Sequence, residues 1–120
     1  MEPIRVSREG ATLCICLGGR LAQDESAALI ARTGKELTAS PGPLDLLLDL
    51  TEVEYMTSSA VGAVVLLYQQ VRLGGGHMAV AAPNERVHLL LEIAGLNQLL
   101  ALCRTAAEAR QALSQGKAGK

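Results

Sequence analysis

The sequence contains no tryptophan and no phenylalanine, and its aromatic side chains are Tyr55 and Tyr68 alone. Successive nucleobases would have no set of platforms to stack on, which argues against a single-strand nucleic-acid binder. Charge of one sign is equally scarce: 11 Lys and Arg against 12 Asp and Glu give a formal net charge of −1. The basic footprint of a protein that grips a phosphate backbone is therefore missing, and no direct nucleic-acid contact is expected. Long hydrophobic runs are missing too. The longest, Ala60–Tyr68, is about half of the roughly 20 residues a membrane-spanning helix needs. Met1–Gly10 carries Glu2, Arg5, Arg8 and Glu9, so no apolar targeting segment and no membrane insertion are expected. Cysteine is limited to Cys14, Cys16 and Cys103, an odd count that suits a reducing, cytoplasmic setting. Cys14 and Cys16 would face one side of a strand, where free thiols commonly join the core. No second Cys/His pair completes a metal site, and no cofactor is expected.

What the chain does have is aliphatic bulk. Hydrophobic residues make up 49% and charged residues 19% of 120 positions, enough for one packed domain. That domain is expected over residues 1–114, with 115–120 as a polar, mobile tail. Ile4–Ser7 and Ala11–Leu17 read as two strands of a hairpin turning at Arg8-Glu9-Gly10, and Gly18-Gly19 reads as a break. Asp24 or Ser26 would cap a helix to about Ala39 with Ile30, Thr33, Gly34 and Leu37 on one face. Gly34 there costs about 1 kcal/mol in helix propensity, which implies close packing against a neighbour.

Pro41-Gly42-Pro43 ends that helix. Leu44–Leu50 lacks polar alternation, as a strand covered on both faces should. Thr51–Met56 reads as a loop, and Thr57 or Ser58 would cap a helix Ser59–Leu73 that Gly74-Gly75-Gly76 closes. His77–Ala81 is a further strand. Asn84 caps a helix striped by Val87, Leu90, Leu91 and Ala94, which Gly95 ends. Leu99–Cys103 and a helix opened by the capping box Thr105-Ala106-Ala107-Glu108 complete the chain. The class is α/β: a mixed sheet of about five strands with about four helices, antiparallel at its start and parallel thereafter.

Chemistry in open α/β sheets gathers at the carboxyl ends of parallel strands. Here that end is the stretch from Asp49 to Gly62, with three consecutive hydroxyls at Thr57, Ser58 and Ser59. One hydroxyl caps the helix; another could stand at the surface, open to phosphorylation. A phosphate would bring about −1.5 to −2 charges to the positive end of a helix, leaving the fold intact and changing what the surface attracts. An enzyme is not expected. A serine nucleophile needs an adjacent base, yet His77 falls near the opposite end of the sheet, and His88 lies mid-helix between stripe positions, facing partly to solvent. Glu52 and Glu54 read as solvated loop charges. The triple glycine follows a helix instead of a strand, so it is no phosphate cradle.

Asp49-Leu50, Val53 and Tyr55-Met56-Thr57-Ser58-Ser59-Ala60-Val61-Gly62 together resemble the signature of the STAS domain family, the bacterial anti-sigma-factor antagonists. Gly19-Arg20-Leu21 with Ser26-Ala27 resembles the family's entry to its first helix. Val87, Leu90, Leu91, Gly95 and Leu96 resemble its next-to-last helix and the following turn. The resemblance implies a regulator that binds a serine-kinase anti-sigma factor when unphosphorylated and so releases a sigma factor. It implies phosphorylation at Ser58, and a partner surface of Leu21, Asp24, Tyr55, Met56, Thr57, Ser59 and Val61. The chain departs from the family's common pattern at Ala22, at Thr57, and at Ala60-Val61-Gly62. Two rivals differ in mechanism: a non-switching STAS subunit of a stress-signalling or lipid/anion transport complex, and a small catalytic or nucleotide-binding α/β domain.

Overall fold

Hydrogen-bonded ladders join five extended segments into one sheet in the computed structural model, which describes residues 4–115. The strands are β1 (Ile4–Glu9), β2 (Thr12–Leu21), β3 (Asp45–Met56), β4 (Met78–Ala81) and β5 (Ala101–Cys103). The helices are α1 (Gln23–Ala39), α2 (Ser58–Leu73), α3 (Glu85–Ile93) and α4 (Ala106–Ser114), with a 3-10 turn at Leu96–Gln98. Strand order across the sheet follows the chain, with β1 antiparallel to β2 and every later pair parallel. This is the mixed five-stranded α/β architecture read from the sequence.

Sequential parallel strands joined by crossovers of one hand place their helices on one face. Accordingly Leu13, Ile15, Leu46 and Leu48 share a core with Leu29 of α1, Val64 and Leu67 of α2, and Val87 and Leu91 of α3. The other face is closed by α4, whose Ala109 and Leu113 rest on Cys14, Leu47, Ala79 and Ala81. Three consecutive leucines, Leu46 to Leu48, are buried because the sheet is covered on both sides there. Among the described residues the strand order runs β1 to β5 without reversal. What remains open at the carboxyl end is a rim where β2 and β3 hand over to α1 and α2.

Several expectations are corrected. Gly18-Gly19 does not end a strand: β2 runs on to Leu21, with Gly19 at φ +72. Thr51–Met56 is not a loop, since β3 continues to Met56 beside it. The hairpin turns later than expected: β1 runs two residues past Ser7 to Glu9 and β2 starts at Thr12, with Gly10 at φ +63. Neither Asp24 nor Ser26 caps α1. Ala22 takes that place, its N–H donating to Glu25 Oε1 at 3.0 Å, while buried Ser26 donates to the Ala22 carbonyl. The buried residues of α1 are Ser26, Leu29 and Thr33, and a Cβ on Gly34 would meet nothing within 4 Å. Gly34 is thus not demanded by a close neighbour. Ala94 is exposed and caps α3 instead of extending its stripe. Of the expected tail, residues 116–120 lie outside the described part of the chain. Among the described residues no helix is long and apolar enough to cross a membrane.

Candidate functional site

The rim is built by a mismatch between two strands. From Cys16↔Asp49 to Gly18↔Glu52, β2 advances two residues while β3 advances three; from Gly19↔Val53 to Arg20↔Tyr55 it is one against two. Each step is a bulge in β3, and bulges bend a strand and re-aim its side chains. Leu50, Val53 and Met56, three apart, therefore all face the core. A Cβ at Gly18 would make only ordinary contact, at 3.5 Å, with the Glu52 side chain, which reaches across to Arg5 at 3.4 Å.

The strands end in register at Leu21↔Met56. One residue on, the Thr57 N–H donates to the Leu21 carbonyl at 3.1 Å, which stitches the start of α2 to the end of β2. Thr57 is the N-cap: its Oγ1 accepts the Ala60 N–H at 3.3 Å. Ser58 opens α2 and is exposed, as is Ser59. No acidic residue lies in the first turn of α2, so the positive end of its macrodipole has no carboxylate of its own helix to offset it.

The residues expected to meet a partner divide into two groups. Ser58, Ser59 and Asp24 are exposed, Thr57 and Val61 are half-buried, and Tyr55 is 50% exposed with the Arg20 guanidinium 5.4 Å from its ring. Leu21 and Met56 are 1% and 6% exposed and belong to the core. They are corrected from contact residues to buttresses, because their apolar side chains are spent beneath the rim.

Residues 5–109 match the STAS domain family. The chain belongs to that family. Its curated relatives include a Thermotoga neapolitana protein, provisionally named an anti-sigma factor antagonist, that is 36% identical over 64 residues, 53% of this chain and 57% of the relative. The STAS domain thus aligns with little more than half of that relative's length. Among solved structures, an anti-sigma factor antagonist from Thermotoga maritima, likewise provisionally named, superposes with a TM-score of 0.82 at 20% identity, covering 92% of this chain and 94% of that one. The anti-sigma factor antagonist SpoIIAA, solved unphosphorylated, gives 0.73 at 14% identity, covering 94% and 98%. The phosphorylated form of the Bacillus protein gives 0.71 at 17%, covering 90% and 96%.

Two features of this STAS domain, one beside the rim and one beneath α3, are not visible in the sequence. Glu54, Tyr55 and Met56 of β3 face Arg86, Val87 and Leu90 of α3 across a cleft of about 190 Å³. Asn84, whose Oδ1 accepts the Arg86 and Val87 N–H groups, fixes where α3 begins, but only the sheet order reveals that Arg86 meets β3. The second is His88, corrected here from a surface residue to a buried one, 7% exposed, with Nδ1 2.9 Å from the Ala82 carbonyl. His77 sits at the far end of the sheet, where its N–H donates to Asp45 Oδ1 at 2.9 Å. Burial pushes the thiols of Cys14, Cys16 and Cys103 up from their ordinary value, and Asp49 beside Cys16 adds to the effect there. They stay protonated near neutrality, and the protonated thiol is the less reactive form. Among the described residues no group of three or more His, Cys, Asp or Glu side chains is placed to hold a metal ion.

The cap yields a direct prediction. Thr57→Ala removes the acceptor for the Ala60 N–H and is expected to cost about 1 kcal/mol, read by urea denaturation. Thr57→Asp, which keeps a capping oxygen and adds a charge favoured at a helix start, should hold or raise stability. A loss as large with Asp as with Ala would show that Thr57 does not cap.

Proposed function

We propose that this STAS domain is a cytoplasmic anti-sigma-factor antagonist, switched at Ser58. Unphosphorylated, it binds a serine-kinase anti-sigma factor and frees the sigma factor that the kinase would hold. Phosphorylated by that same partner, it lets go. The observation that carries this reading is a division of labour at the start of α2. Thr57 does the capping, so the exposed Ser58 hydroxyl has no duty in the helix and can be modified at little structural cost.

The chemistry favours a change of surface over a change of fold. A phosphate on Ser58 would stand at the positive end of α2, where anions are stabilised. A partner docked over the rim would strip water from that charge, and a desolvated charge without a counter-charge is costly. Tyr55, Ser59, Val61, Thr57 and Asp24 provide the surrounding surface, with Leu21 and Met56 beneath it. That SpoIIAA has been solved in both phosphorylation states, each with the fold of this chain, supports the idea that the architecture tolerates the modification.

Incubation with ATP and an anti-sigma-factor serine kinase, followed by intact-mass measurement and peptide mapping, tests the reading. One added phosphate on Ser58 is expected, with thermal unfolding nearly unchanged. No phosphate, or one that maps to another residue, would contradict the switch. Stable binding by both forms would point to the non-switching interaction subunit.

A further inference from the structure

We propose that His88 is a positioning residue, whose imidazole fixes how α3 closes the cleft beside the end of β3. β4 ends at Ala81, and the Ala82 N–H still donates to the Cys103 carbonyl at 2.9 Å. Ala82 is fully buried and precedes Pro83, which has no N–H to continue a ladder. Its carbonyl needs a donor from elsewhere, because a buried backbone oxygen left unpaired is unfavourable. His88 Nδ1, at 2.9 Å, supplies the proton. A carbonyl can only accept, so the bond puts a proton on Nδ1; the other ring nitrogen, Nε2, lies 4.0 Å from Glu92 Oε1.

The bond ties the second turn of α3 to the end of the sheet. Val87, next to His88 in the chain, and Leu90, two residues beyond it, form one wall of the cleft whose other wall is Glu54, Tyr55 and Met56. Met56 is one residue from the cap of α2 and two from Ser58. The imidazole touches neither Ser58 nor the rim surface, so it acts through the placement of α3 alone. Its meaning for partner binding rests on the proposed function; the placement itself does not.

Side-chain mimicry separates this role from simple packing. Asparagine places its amide nitrogen where the histidine Nδ1 stands, whereas the longer glutamine places it near Nε2. His88→Asn should therefore keep the bond to Ala82, and His88→Gln should lose it. The readout is peroxide oxidation of methionine, followed by peptide mass. Met56 sits under the cleft and Met78 is fully buried in β4. Met56 lines the cleft against α3, whereas Met78 pairs with Leu46 at the start of β4, so local opening of α3 is expected to expose Met56 first and global unfolding both.

His88→Gln is expected to speed Met56 oxidation about tenfold, the factor that corresponds to about 1.4 kcal/mol, with Met78 unchanged. His88→Asn should stay within about twofold of the native rate. Equal acceleration at Met56 and Met78, no acceleration in His88→Gln, or acceleration as large in His88→Asn, would each overturn the proposal. Phosphorylation of Ser58 measured on the same proteins keeps the two ideas apart. A native protein that the kinase ignores contradicts the switch, while the oxidation ratio still decides the role of His88.

Discussion

Ser58→Asp is expected to weaken binding to the anti-sigma-factor kinase about a hundredfold, while Ser58→Ala stays within about threefold of the native affinity. The contrast follows from where the side chain stands. Ser58 is exposed at the first position of α2 and the cap is on Thr57, so removing the hydroxyl removes no structural bond. An aspartate introduces a charge that the free domain solvates readily and that the helix start favours. Only in the proposed complex would that charge be stripped of water. An uncompensated charge in a desolvated contact costs about 3 kcal/mol at the lower end, which is just over two decades in affinity. Titration of the kinase with the two variants provides the measurement. Equal affinities would remove the electrostatic basis of the switch, and a large loss with Ser58→Ala would mean that the hydroxyl itself is a contact.

The largest effect on stability is expected far from the rim, at Gly76→Ala. A Cβ at Gly76 would lie 1.9 Å from the Leu44 carbonyl oxygen and 2.7 Å from its carbon. Both are backbone atoms, and neither chain segment is free to retreat. The Gly76 N–H donates to the Val71 carbonyl, the Asp45 N–H to Ala11, and the Leu46 N–H to His77, each at 2.9 Å. Relief of the clash must break part of this junction, so a loss of about 3 to 5 kcal/mol is expected, a large share of the roughly 5–15 that hold a domain together. Gly34→Ala makes the control. With open space around its Cβ site and a helical backbone, it should gain about 0.5–1 kcal/mol. Urea unfolding of both variants reads the difference; a Gly76→Ala protein as stable as the native one would mean that β3 and β4 are not so closely apposed.

Much of this architecture was legible in the sequence, and the failures have physical causes. Leu46-Leu47-Leu48 announced a strand buried on both faces, and Thr105 with Glu108 announced the start of α4; both are local patterns that tertiary packing had no reason to overrule. The extension of β3 was hidden because its two bulges space Leu50, Val53 and Met56 three apart, which destroys the alternation by which strands are read. The extension of β2 was hidden by Gly18-Gly19, a pair that reads as a break although the strand runs through it to Leu21. Asp24 and Ser26 are favoured capping types, yet Ala22 prevails because Glu25 reaches back to its N–H. His88 was misread because a helical stripe is judged by apolarity, whereas an imidazole can be buried by a single backbone carbonyl.

At the site, the three hydroxyls were visible but their roles were not. A sequence cannot say which of Thr57, Ser58 and Ser59 turns inward to cap. The structure assigns the cap to Thr57 and leaves the two serines at the surface. Leu21 and Met56 were placed at the rim correctly in sequence and wrongly in depth, since register and bulges decide depth. The cleft formed with Arg86 depends on β3 and α3 meeting across the sheet, a juxtaposition of distant segments that no local pattern records.

If one exposed side-chain oxygen governs the association, calorimetric titration of the unmutated protein shows it most directly. The anti-sigma-factor kinase would be titrated with the domain as purified, after stoichiometric phosphorylation, and again after phosphatase treatment. Affinity should fall at least a hundredfold on phosphorylation and return in full when the phosphate is removed. Affinity that is the same in all three states would contradict the claim.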